Sequence, residues 1–220
     1  MCYTHSAVGR REYTQEVIFL KKYVIVLITA LMLCFAPTQA YASDTVHTVV
    51  KGDTMWKIAV KYQVGTSEIV KANPQIPDPN LIYPGQKLNI PGKDGTVTAY
   101  EAEVVRLVNS YRAQYGLSPL SENWELSRVA RFKSQDMCDR KYFSHTSPTY
   151  GSPFDMIKAF GLGYRTAGEN IARGQTSPQE VVHAWMNSSG HRANILNSSF
   201  RYIGVGYVAS GNYWTQMFTG

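Results

Sequence analysis

The chain has 220 residues, 44% of them apolar and 17% charged, which is enough hydrophobic content to bury a core and excludes wholesale disorder. Its net charge of +6 is diffuse, with no run of five basic residues and no Lys/Arg-striped helix. Nucleic-acid binding is therefore not indicated, and the charge suits an anionic wall or membrane surface instead. The length fits one or two domains.

Lys21-Lys22 precede a 14-residue apolar run from Tyr23 to Ala36, followed by Pro37 and the small-x-small site Ala40-Tyr41-Ala42. A basic flank, a short apolar stretch and a small-residue site are the parts of an export signal, so residues 1–42 are expected to be cleaved after Ala42. The run is short for a bilayer core of about 30 Å, and an uncleaved anchor is the alternative. Bulky Leu33 makes Cys34 a poor lipid-attachment site. The 20 residues before Lys21 are polar and add nothing to the signal; translation starting at Leu20 would give a compact one. Cleavage would leave Cys138 as the only cysteine, expected as a buried thiol in a helix, so no internal disulfide could form.

Between Val46 and Pro91 the pattern is strand, helix, helix, strand. His47-Thr48-Val49-Val50 reads as a strand, and Asp53 or Thr54 caps a helix with Met55, Ile58, Ala59 and Tyr62 on one face. Thr66 caps a second helix, which Asn73-Pro74 ends. Gly85 to Pro91 returns as a strand.

These residues closely resemble a LysM module, with His47 to Ala59, Asn73-Pro74 and Leu81 to Pro91 all in register. The resemblance implies a βααβ fold that binds peptidoglycan or other N-acetylglucosamine (GlcNAc) oligomers. The groove it implies lies between two loops, one of Gly52, Asp53, Thr54 and Met55 and the other around Gln75, Ile76 and Pro77. The domain limits expected are 43–92 for this module, 93–98 for a linker and 99–220 for a larger domain.

The larger domain opens with a helix carrying Val104, Leu107, Val108, Tyr111 and Tyr115 on one face, with Gly116 as its stop. A second helix from about Asn123 buries Leu126, Val129, Ala130 and Met137. Ser152-Pro153 opens a third helix, and Ser177-Pro178-Gln179-Glu180 reads as a capping box for a fourth. Alternation over Ile203, Val205 and Tyr207, a Ser210-Gly211-Asn212 turn and a run to Phe218 predict a hairpin. Helices first and an antiparallel sheet last give an α+β domain.

Phe143-Ser144-His145, Gly168-Glu169-Asn170 and Trp185 to Leu196, with Ile203 to Gly206 and Trp214-Thr215-Gln216, resemble the CAP (SCP-like) superfamily in its bacterial form. The resemblance implies an α-β-α sandwich with a cleft at His145, Glu169 and His191. In several members the histidines bind a divalent metal, so zinc at His145 and His191 is the cofactor to test. Two imidazoles and a carboxylate can form an open metal site or an acid–base pair around water. Ser188 stands where animal and plant members usually carry a second glutamate, and there is no convincing nucleophile or Gly-x-Ser-x-Gly elbow. Two readings follow. One is a secreted, monomeric binding or structural protein of the cell wall or spore surface that docks on glycan and carries no stable membrane span after cleavage. The other is a metal-assisted hydrolase acting on wall peptides or protein.

Overall fold

A computed structural model of the protein describes residues 45–220; the export-signal and start-site expectations lie outside them. The first module runs β1 (Thr45–Thr48), α1 (Met55–Tyr62), α2 (Thr66–Ala72) and β2 (Lys87–Ile90). The two strands pair antiparallel, Thr45 opposite Ile90 and Thr48 opposite Lys87. The Thr54 hydroxyl accepts from the Lys57 amide at the start of α1, and Gln63 ends the helix in the left-handed region. Ile58, Ile69, Leu88 and Ile90 are buried in a core of the module's own. Asn73 does more than end α2. Its buried amide nitrogen donates to the Ile69 and Asn89 carbonyls and its oxygen accepts from the Asn89 amide, so it pins the second helix to β2.

The larger domain contains α3 (Gly95–Gln114), β3 (Ser121–Glu122), α4 (Trp124–Arg140), α5 (Pro153–Ala159), β4 (Ala167–Arg173), α6 (Pro178–Met186), α7 (Ser189–Ile195), β5 (Tyr202–Val208) and β6 (Tyr213–Thr219). Its sheet has the order β3-β5-β6-β4, with β3 parallel to β5 and the other pairs antiparallel. Alternation along β5 sorts the layers. Ile203, Val205 and Tyr207 join Val104, Val108, Val181 and Trp185 on the face covered by α3 and α6. Gly204 and Gly206 face α4 on the other side. A Cβ on Gly204 would lie 2.3 Å from the Leu126 carbonyl carbon, and one on Gly206 would lie 2.1 Å from the Arg131 amide nitrogen. The helix backbone therefore rests on the strand itself, and an α-β-α sandwich results.

Side chains close both rims of the sheet. On β5, the Val205 amide donates to Ser127 Oγ and the Tyr207 amide to Glu101 Oε1. On β4, the Glu169 and Ile171 carbonyls accept from Asn194 Nδ2 and Trp185 Nε1. Four groups that another strand could use are already satisfied.

The structure departs from the sequence reading in several places. Tyr115 is 58% exposed, because it is the C-cap residue of α3 and has left the helical face. Helix α3 begins at Gly95, capped by Asp94 Oδ1, leaving Pro91 to Asp94 as the connection. Glu180 turns its carboxylate to Thr176, so only the Ser177 half of that capping box forms, whereas Ser152 and Asp155 form a complete one. Cys138 does lie in α4 but is only half-buried, its thiol 3.2 Å from the Ser210 carbonyl.

Replacing Gly204 or Gly206 with alanine should destabilise the domain by about 2–4 kcal/mol, because the new methyl meets backbone that cannot rotate aside. Urea unfolding measures this, and a loss below about 1 kcal/mol would show that α4 can lift off the strand at little cost.

Candidate functional site

Glu169 lies on β4 opposite Met217, which packs on the α4 side of the sheet. Its side chain is 1% exposed; Oε1 is 2.7 Å from His145 Nδ1, and Oε2 is buried with no partner. The His145 side chain is 52% exposed, so the pair runs from a buried carboxylate to an open imidazole. With Nδ1–H directed at the carboxylate, Nε2 keeps its lone pair on the exposed side of the ring; this tautomer is assigned from the hydrogen bond.

The loop carrying His145 is moored to α4. Lys133 is fully buried, and its ammonium donates to the Ser144 and His145 carbonyls at 2.8 Å each and to the Tyr142 hydroxyl at 3.2 Å. Burial pulls this ammonium below the usual lysine range, opposed by the negative charges of Glu169 and Asp136. One turn on, Asp136 accepts from the hydroxyls of Tyr142, Ser147 and Thr149 at 2.6–2.8 Å. Burial pushes its carboxyl up, but the donors from Ser147, Tyr142, Thr149 and Arg140 outweigh that and hold it below the usual range. Sequence reasoning missed both residues. The available signal was a lysine three residues after Ala130 and four before Met137, on the apolar face of a helix.

His191 belongs to α7. Burial pushes its imidazole down, and the charge of His145 adds to the effect. Its carbonyl accepts from Asn170 Nδ2, which also donates to Gln216 Oε1, while Asn194 donates to Asn170 Oδ1. Asn170 thus holds α7 against the sheet. Gln216 Nε2 is also buried without a partner, but it lies opposite Asn170, on the other face of the sheet from Glu169, and the two orphaned atoms belong to different surroundings.

Among the described residues no group of three His, Cys, Asp or Glu side chains is placed to hold a metal ion. The residues around His145 therefore do not supply the donor set that resident zinc takes. The remaining chemistry is that of an imidazole oriented by a buried carboxylate, able to exchange a proton or a hydrogen bond with a bound group.

The first module presents a second site. Gly52 takes φ +94°, which a side chain would strain, at the crest of the first loop. Asp53 Oδ2 accepts from the Val50 amide at 2.9 Å and lies 2.9 Å from His47 Nε2, while His47 Nδ1 lies 3.1 Å from the Tyr62 hydroxyl. The Val50 amide, followed by His47, holds the Asp53 carboxyl below its usual range. Lys57 Nζ donates to the Gly52 carbonyl, so the loop is fixed from both sides. Of the other residues named for this groove, Thr54 caps α1, Met55 is buried in the core, Ile76 packs half-buried against it, and Gln75 donates to Asn73. Pro77 is exposed. Sequence reasoning passed over Trp56, Leu81 and Tyr83, each more than half exposed and in or next to these loops.

Residues 105–219 match the cysteine-rich secretory protein family, and residues 47–91 match the LysM domain. The uncharacterized Bacillus subtilis protein YkwD is 63% identical over 125 residues, which are 57% of this chain and 49% of YkwD. Spore coat assembly protein ExsA of Bacillus cereus is 50% identical over 48 residues, 22% of this chain and 8% of ExsA. Among solved structures, an extracellular SCP-domain protein of Bacillus anthracis matches with a TM-score of 0.55 and 31% identity, covering 61% of this chain and 46% of that one. The chain spans about half or less of the length of these relatives.

Two measurements test the cleft. A carboxyl depressed in the folded state contributes stability above its ordinary pKa of 3.8, and that stability is lost as pH falls through the lower folded value. Loop 142–149 should therefore stay protected from amide exchange down to about pH 4, whereas Asp136→Ala should weaken it by about 1–3 kcal/mol already at neutral pH. Equal protection in the variant would remove Asp136 from the mooring. Calorimetric titration with zinc at neutral pH should show no stoichiometric uptake; one-to-one binding abolished by His145→Ala would reinstate a metal site.

Proposed function

Because the chain belongs to the cysteine-rich secretory protein (CAP) family and carries a LysM domain, we propose that it is a secreted envelope protein that docks on peptidoglycan or related GlcNAc glycans and presents its CAP cleft there. In this reading residues 43–92 bind and residues 99–220 are presented, at the cell wall or the spore surface. The observation that carries it is the first loop of the LysM module. Gly52 and Asp53 are held by His47, Val50 and Lys57, leaving a preorganised backbone for acetamido groups to meet. Neither a metal nor an ionised ligand is required.

The role proposed for the cleft is binding or structural. Glu169 orients the half-exposed His145, with His191 assigned beside them in this reading, and no nucleophile accompanies the pair: Cys138 faces Ser210 and Ser188 is the N-cap position of α7. Hydrolysis of wall peptides is the weaker reading, since it needs either a nucleophile or a metal-held water.

Sedimentation with purified peptidoglycan tests the docking. The protein and its 43–92 fragment should both co-sediment, weakly, as expected for one module without avidity. Asp53→Ala should weaken binding about three- to tenfold by releasing the loop. Sedimentation of a 99–220 fragment alone would sink the assignment.

A further inference from the structure

The LysM module and the CAP domain meet through one arginine. Arg128, in the first half of α4, donates from Nε to Glu68 Oε1 at 2.6 Å and from Nη2 to Glu68 Oε2 at 2.8 Å. Its Nη2 also donates to Ser67 Oγ at 2.9 Å. The guanidinium lies over two aromatic rings of the CAP domain, 5.3 Å from the centroid of Phe132 and 5.0 Å from that of Phe160. Both partners are mostly shielded, with side-chain exposures of 20% and 28%. An exposed ion pair between flexible side chains would hold little. This one is a planar fork on a carboxylate, pre-oriented by stacking and partly removed from water, which is the strong form of the contact.

Three further features fit a built contact. Gly65 leaves the space the guanidinium occupies, since a Cβ there would fall on it. Lys93, in the four-residue connection, is drawn into the same crevice of about 150 Å³ with Gln63, Val64 and Phe132. The connection is so short that the two surfaces face each other at high effective concentration.

We propose that Arg128 and Glu68 lock the LysM module and the CAP domain into one rigid body, which presents the groove loops in a fixed direction. The position of the lock agrees with this. It grips the module at the first turn of α2, whereas the groove loop lies at the far end of α1, an eight-residue helix about 12 Å long. The module is held by its back, and the loops of Gly52 and Asp53 stay uncovered. The inference rests on the preceding reading only in calling that groove a glycan site.

Backbone nitrogen relaxation of the whole protein tests the lock. In the unaltered protein, amides of β1, β2 and α1 should report the same rotational correlation time as those of the CAP sheet. In Glu68→Lys, the module's correlation time should fall by about half as it begins to tumble on its tether. If the lysine variant fails to fold, Glu68→Ala, which removes the acceptor without reversing the charge, is read in its place. Separate correlation times in the unaltered protein, or no change in the folded variant, would overturn the lock. Peptidoglycan sedimentation of the same samples keeps the two claims apart: if no sample binds, the glycan reading falls and the relaxation result still decides the lock.

Discussion

The contact on which the rest of the structure depends is that of α4 with β5. Two glycines spaced two apart let the helix backbone rest on the strand, closer than any side chain would allow. Once α4 is fixed there, four charged residues along it reach three neighbours. Arg128 reaches the LysM module, and Arg131 pairs with Glu101 of α3. Lys133 and Asp136 hold the His145 loop. The helix is a spine whose register on the sheet fixes four contacts together. A slip of one residue would rotate all of them out of place.

The same logic explains which parts of the protein were legible in its sequence. Amphipathic helices, caps and the closing hairpin announce themselves by period and punctuation, and most of them formed as expected. Strand β4 did not, because its central residues are buried on both faces and no alternation survives. Its identity came through the Gly168-Glu169-Asn170 motif instead, which marks residues holding neighbouring elements in place. His145 and Glu169 were nameable from their family pattern, but their support was not. A lysine and an aspartate in a helix are ordinary until the fold shows that one lies on the buried face and the other under three hydroxyls.

The His145–Glu169 pair and the Gly52–Asp53 loop share a principle of construction despite their different chemistry. In each, one polar group orients another: the buried Glu169 orients the half-exposed His145, and the buried His47 with the Val50 amide orients Asp53, itself 19% exposed. The orientation is fixed before any ligand arrives, so little ordering remains to oppose binding. In each, too, the supporting residues lie several positions away in the chain, which is why a linear pattern shows the tip of the site more readily than its foundation.

The rims of the sheet bear on the envelope location proposed above. A cell wall concentrates proteins side by side, and an open strand edge there is an invitation to stack into ribbons. With Ser127, Glu101, Trp185 and Asn194 occupying four of the outward backbone groups, this sheet offers a neighbour's backbone fewer places to pair. On the surface proposed for this protein, those four side-chain hydrogen bonds would work against one copy pairing its strands with the next.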